Sequence, residues 1–181
     1  ECGNVILSAD REKMAIDIKS GVADLVTEYD KNIQEQLKTG LKMILPEAKF
    51  IGEEGSSDKL TDDGYAFIVD PIDGTTNFIK DYHHSAISVA LLKGEEVVAG
   101  VVYNPYLDEV FHAIKGQGAF CNGKKINVSD RSIDNALVLF GSSPYDKNLF
   151  TKTIEILSEY FYKALDIRRS GSAALDLCWV A

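Results

Sequence analysis

Residues 65–78 read Tyr-Ala-Phe-Ile-Val-Asp-Pro-Ile-Asp-Gly-Thr-Thr-Asn-Phe, an apolar run that ends on two carboxylates, Asp70 and Asp73, and then a glycine. Tyr65 to Val69 is too brief for a helix and predicts a strand buried on both faces. Pro71 fixes its own φ and biases Asp70 toward extended geometry, so the strand is expected to stop there, with both acids projecting from a stiff turn. Asp73-Gly74-Thr75-Thr76 reads as the start of a short helix capped by Asp73 or Thr75, whose first N–H groups are free to bind an anion. Like charges this close repel unless a cation lies between them. Oxygen ligands with no His or Cys nearby favour a hard ion, Mg²⁺ before Ca²⁺ or Mn²⁺, and disfavour Zn²⁺. Taken alone, the D-x-x-D-G spacing favours an ordinary Asp-Gly turn with solvated acids.

The elements that must position these acids can be read along the chain. Residues 1–17 predict a helix, and Lys19 to Asp24 a loop. Thr27 and Asp30 have the spacing of a capping box. Tyr29, Ile33, Leu37, Leu41 and Ile44 follow at helical spacing until Pro46. Ala48 to Ile51 predicts a short strand that delivers Glu53 and Glu54, a second pair of acids at a strand end. From Ser85 a meander is expected: strands through Leu92, to Tyr103 and from Glu109 to Ile114, then a turn at 115–118. Asn122-Gly123 is the pair preferred in two-residue type I′ hairpins. Ala136–Gly141 predicts a strand, Asn148–Phe161 an amphipathic helix, Ala164–Arg169 a strand, and Gly171 onward a helix. The class is α+β, an antiparallel β-sheet packed against α-helices in layers, with much of the sheet covered on both faces.

Composition narrows the function. The chain of 181 residues, 45% of them hydrophobic, is long enough for a substantial core. A net charge of −9 argues against a nucleic-acid polymer as partner and leaves room for a small phosphate ester held through a metal. No apolar stretch has membrane-spanning length. The three cysteines form no C-x-x-C and suit a reducing, cytoplasmic compartment. The final segment, Gly171 to Ala181, looks helical without a C-terminal cap and reads as part of a longer protein.

The motif Val69-Asp-Pro-Ile-Asp-Gly-Thr-Thr-Asn-Phe78, preceded by Phe50-Ile-Gly-Glu-Glu54, resembles the signature of the inositol monophosphatase family of Mg²⁺-dependent, lithium-sensitive phosphatases. Asp24-Leu-Val-Thr-Glu-Tyr-Asp30 and Gly116-Gln-Gly-Ala-Phe-Cys-Asn-Gly123 are similar to further family segments, so the resemblance covers nearly the whole chain. It implies that Glu53, Asp70, the Ile72 carbonyl and Asp73 ligate two or three Mg²⁺ ions, with Mn²⁺ as a substitute. It also implies that Asp73, Gly74 and Thr75 meet the substrate, and that Glu53 and Thr75 orient the attacking water, with Asp30 accepting from the threonine. Asp30 therefore has two compatible readings, helix cap or relay. Gly171, Ser172 and Ala173 resemble the segment that approaches sugar hydroxyls, which a cap and close packing would also explain. Lys19 resembles a family lysine in a mobile loop near the metals, and Glu54 could stand as a further acid behind the ligands, but a solvated loop charge and a surface acid are the simpler readings and both stay outside the expected site. His83, His84 and His112 read as surface or packing residues, and Trp179 as core. The resemblance makes residues 1–181 an N-terminal metal- and phosphate-binding domain, with the family's C-terminal α/β domain, and one ligand Asp, absent from this chain. It implies hydrolysis of inositol monophosphate by a homodimer. Phosphatases of 3′-phosphoadenosine nucleotides or fructose 1,6-bisphosphate are the same-class alternatives, and a non-catalytic Mg²⁺/phosphosugar-binding module the different-class one. Thr75-Thr76-Asn77-Phe78 looks more like the inositol branch.

Overall fold

In the computed structural model of the protein, residues 1–21, 24–55, 58–60, 63–142 and 146–181 are described. A seven-stranded sheet dominates them, in the order β3 (Lys49–Gly52), β4 (Tyr65–Asp73), β5 (Ala86–Lys93), β6 (Glu96–Asn104), β7 (Glu109–Ile114), β8 (Gly118–Cys121) and β9 (Lys124–Ile126). It is antiparallel from β4 to β9, while β3 lies parallel to β4, so the sheet is mixed. The β8–β9 turn has Asn122 at φ 47° and Gly123 at φ 76°, the positive pair that a type I′ turn requires. A parallel pair, β10 (Leu137–Leu139) with β11 (Asp166–Arg168), stands apart from this sheet.

The N-terminal region departs from the predicted helix over 1–17. Helix α1 covers only Cys2–Leu7 and ends where the Ser8 N–H and hydroxyl both turn back to the Asn4 carbonyl. The chain then forms β1 (Ile16–Gly21), paired antiparallel with β2 (Asp24–Thr27). Ile16 and Ile18 alternate with Asp17 and Lys19, a period of two that the helical reading overlooked. The predicted loop at 19–24 thus falls on this pair; residues 22 and 23 lie outside the described residues.

Helix α2 (Glu28–Ile44) begins with a complete capping box. Thr27 Oγ1 accepts from the Tyr29 and Asp30 N–H groups, and Asp30 Oδ2 accepts from the Thr27 N–H at 2.8 Å. Its apolar face packs on β4, where Leu37, Leu41 and Leu45 meet the buried Ala48, Phe50, Phe67 and Val69. A second cluster joins Ile6, Met14 and Ile33 to Ile72 and Phe78, directly beneath the acidic motif. Coverage on both faces does not extend across the sheet: Val97, Val101 and Ile114 on β6 and β7 are exposed. Helices α4 (Phe150–Lys163) and α5 (Ala173–Trp179) follow later in the chain, with α5 packed on β5 and β6. Trp179 is 43% exposed rather than core, its ring edge-on to His84.

Candidate active site

Strand β4 continues through Pro71 to Asp73, three positions beyond the expected stop at Asp70. Asp70 pairs with Ser88 and Asp73 with Ala86, so Pro71 and Ile72 of β4 face Ile87 alone on β5, the two-against-one count of a β-bulge. Pro71 suits this place because it has no N–H to give to the ladder. Pro71 and Ile72 are buried, while Asp70 and Asp73 are half-buried.

Helix α3 (Thr75–Ile79) follows, with Gly74 as its N-cap rather than Asp73 or Thr75. Gly74 has φ 92°, ψ 41°, and a Cβ there would lie 3.0 Å from the His84 carbonyl oxygen and 3.1 Å from that of Gly171. Only glycine combines this conformation with so close an approach of three backbones. Gly74 and Thr75 both line the cleft, and the first N–H groups of α3 have no acceptor within the helix.

Parallel pairing of β3 with β4 brings Glu53 to the same edge, where its N–H donates to the Val69 carbonyl at 3.1 Å. The following Glu54 is tied to α2 through Gln34: its N–H donates to Gln34 Oε1 at 2.9 Å, and Gln34 Nε2 donates to its carbonyl at 2.7 Å. Lys19 reaches both acids, 2.8 Å to Glu53 Oε1 and 2.5 Å to Glu54 Oε1. It is therefore a bridging cation, with a side chain 23% exposed, and not the solvated charge expected; Glu54, at 10%, is not a surface acid. Burial alone would lower the Lys19 pKa, but its hydrogen bonds to Glu53 and Glu54 outweigh that and raise it.

The remaining expected groups converge here. The Thr75 hydroxyl donates to the Ile72 carbonyl at 3.0 Å, with Asp30 Oδ1 as a longer alternative acceptor at 3.4 Å. Asp30 Oδ2 takes the Thr27 N–H and hydroxyl, so its two oxygens divide between cap and relay positions. Burial raises the Asp30 pKa against the lowering effect of the Thr27 bonds. At Asp70, burial, with the Glu53 and Asp73 charges adding to it, pushes the carboxyl up to about 9. Residues 171–173 reach the site from the far end of the chain. Asn77 Nδ2 donates to the His84 carbonyl at 2.7 Å and the Ser170 carbonyl at 2.9 Å, which holds the start of α5 against α3. Ser172 borders the cleft yet is fully buried, and its hydroxyl donates to Asp73 Oδ2 at 2.5 Å.

The cleft bounded by these residues has a volume of about 660 Å³ and includes Glu53, Asp70, Asp73, Thr75, Arg169 and Ala173. The donor set fits a hard divalent ion: it is all oxygen, and its carboxylates repel one another. Among the described residues no three such side chains close on one point. Glu53 is drawn to Lys19, and Asp73 holds one oxygen on α5. Sequence reasoning missed Gln34, Asn77 and the bridging role of Lys19. For Asn77 the signal was its place inside the motif itself.

The family model described as "Inositol monophosphatase family" matches residues 1–181. Inositol monophosphatase 2 of Solanum lycopersicum is 44% identical over 168 residues, 89% of this chain and 63% of its own length. The crystal structure of extragenic suppressor protein suhB from Bartonella henselae superposes with a TM-score of 0.88 at 31% identity, over 99% of this chain and 69% of that one. An IMPase/NADP phosphatase complexed with Mg²⁺ and phosphate gives 0.80 at 29% identity, over 96% and 64% of the two chains. The chain spans about three fifths to two thirds of the length of the curated relatives it matches. A family match along the whole chain, agreement with solved relatives in fold, and acids brought together at the bulge of β4 lead to one assignment: the chain belongs to the inositol monophosphatase family.

Proposed function

We propose that this chain supplies the metal- and phosphate-binding domain of a Mg²⁺-dependent phosphatase acting on a small phosphate monoester, inositol monophosphate first. The observation that carries the reading is the juxtaposition of Asp70, the Ile72 carbonyl and Asp73 with the start of α3, beside Glu53 on the neighbouring strand end. A relative of the same fold complexed with Mg²⁺ and phosphate supports it. Glu53, Asp70, Ile72 and Asp73 would hold two or three Mg²⁺ ions, or Mn²⁺ in their place, with a further Asp from sequence beyond residue 181. Bound metal would neutralise phosphoryl charge and lower the pKa of water near it. The chain's own groups do the rest. Gly74 and Thr75 offer N–H groups to the phosphate, Glu53 and the Thr75 hydroxyl orient the attacking water, and Asp30 Oδ1 is the group toward which the threonine proton can turn. Gly171 and Ala173 present backbone to the substrate's hydroxyls.

Arg169 favours a second reading. It is the one cation among the described residues lining the cleft, and it suits a substrate with another anionic group, such as fructose 1,6-bisphosphate or 3′-phosphoadenosine 5′-phosphate. We further propose a cytoplasmic homodimer; sedimentation as a monomer at micromolar concentration would count against the dimer.

The test is phosphate release by the full-length protein from inositol 1-phosphate, fructose 1,6-bisphosphate and 3′-phosphoadenosine 5′-phosphate, with Mg²⁺, with chelator and with lithium. Mg²⁺-dependent, lithium-sensitive release from the inositol ester is expected, and Asp73→Asn should reduce it by roughly 10²-fold or more with the fold retained. Preference for a bisphosphate moves the substrate and keeps the mechanism. Release from none of the three overturns the catalytic reading in favour of a binding module.

A further inference from the structure

The strongest connection between the two halves of the site is a contact the motif does not contain. Ser172 and Asp73 are separated by 99 residues, yet the Ser172 hydroxyl donates to Asp73 Oδ2 at 2.5 Å, and the Ala174 N–H donates to the same oxygen at 2.7 Å. A serine hydroxyl has one proton, and here it is given to Asp73. The same oxygen accepts, at 3.4 Å, from the Leu175 N–H as the N-cap of α5. The side chain is completely buried, so it has neither a proton nor an exposed face for a substrate hydroxyl.

Two donors on Oδ2 fix the carboxylate's rotation and leave Oδ1 as the oxygen available toward the cleft that Asp73 lines. The donors are themselves anchored. Asn77 pins the Ser170 carbonyl at 2.9 Å, and Gly171, at φ 94°, packs so closely that a Cβ would lie 2.9 Å from Asn77 Nδ2. Each link runs from the 170s segment through α3 or Asp73 back to the bulge of β4.

We infer that Ser172 is a positioning residue for Asp73: it acts on metal affinity by orienting this carboxylate and makes no contact with the substrate through its side chain. The inference rests on the proposed metal-dependent phosphatase reading and deepens it. Hydrogen-bond partners behind a metal ligand commonly change affinity by about 10- to 100-fold when removed, because the ligand's orientation and basicity go with them.

The experiment uses the full-length protein and Mn²⁺ as probe, followed by electron paramagnetic resonance without substrate, so that binding is read apart from turnover. Ser172→Ala should weaken Mn²⁺ binding about tenfold, and Ser172→Thr should restore it to within about threefold, because the hydroxyl returns. At saturating metal, KM for the phosphate ester should stay within about twofold of wild type in both. Ser172→Cys, a weaker donor of similar size, should fall between Ser and Ala and serves if the alanine variant does not fold. Mn²⁺ affinity unchanged in the Ala or Cys variant, or a KM raised several-fold with affinity unchanged, overturns the inference alone. A wild-type protein that binds no Mn²⁺ overturns the functional reading and this inference together.

Discussion

Replacing Asn77 tests whether the start of α5 is held by one side chain. Its Nδ2 group donates to two carbonyls, His84 at 2.7 Å and Ser170 at 2.9 Å, and the residue is 9% exposed. Asn77→Ala removes both bonds and strands two carbonyl oxygens in a packed junction. With each such loss costing about 1–3 kcal/mol, and some relief from water entry, the expected destabilisation is about 2–4 kcal/mol. At this size about 3 kcal/mol corresponds to a Tm lowered by roughly 6–12 °C. Asn77→Asp keeps the shape but aims a carboxylate at two carbonyl oxygens, so it should be worse than alanine. Urea unfolding of the full-length protein gives the stabilities, and Mn²⁺ titration gives the state of the site. Because Asn77 anchors the segment that carries Ser172, both variants should bind metal more weakly than wild type even at temperatures where they are fully folded. A loss below about 1 kcal/mol in both variants, or an aspartate variant more stable than the alanine one, would refute the reasoning.

The α2 cap and the histidine beside α5 give further tests. Thr27→Ala removes the hydroxyl that caps α2 and donates to Asp30 Oδ2 at 2.6 Å; unfolding should show a loss of about 1–2 kcal/mol, and Thr27→Ser should recover most of it. Burial lowers the pKa of His84 against the opposing charges of Asp176 and Asp73, and its Nε2 has no partner among the described residues. The folded state then resists protonation while the unfolded chain accepts it, so stability should fall as pH drops through about 6.5. His84→Phe should flatten that slope in urea midpoints measured from pH 7.5 to 5.5; an unchanged slope would show that His84 does not contribute.

What was legible in the chain was local. The capping box, the Asn122-Gly123 turn and the meander each rest on neighbours within a few residues, and each formed as its spacing implies. The acids of the motif are ordinary turn residues by their own spacing, and they stood out only together with the segments 50–54 and 24–30. What failed depended on distant partners. Lys19 looks like a loop charge until Glu53 and Glu54, 34 and 35 residues away, are brought beside it. Nothing near Ser172 in the sequence points to Asp73, 99 residues away, whose Oδ2 takes its proton. Residues 1–17 failed for a local reason, since an apolar alternation of only Ile16 and Ile18 is too short to outweigh a helical pattern before it.

Pro71 carries the most instructive difference between the expected and observed motif. In a regular strand successive side chains alternate between faces, so Asp70 and Asp73, three positions apart, would point to opposite sides. A strand that simply stopped at Asp70 would leave their relation to an unconstrained turn. The bulge resolves both difficulties, because one extra residue on β4 between the Ser88 and Ala86 pairings cancels the odd spacing and returns both acids to one side. Proline is the residue that this position tolerates and a regular central strand does not. Ile72, 1% exposed and packed with Phe78 and Ile33, anchors the bulge from below. The spacing of the aspartates, the proline between them and the apolar residue beside it are therefore one device: a strand continued past its regular pairing so that two carboxylates share an edge at the start of a helix.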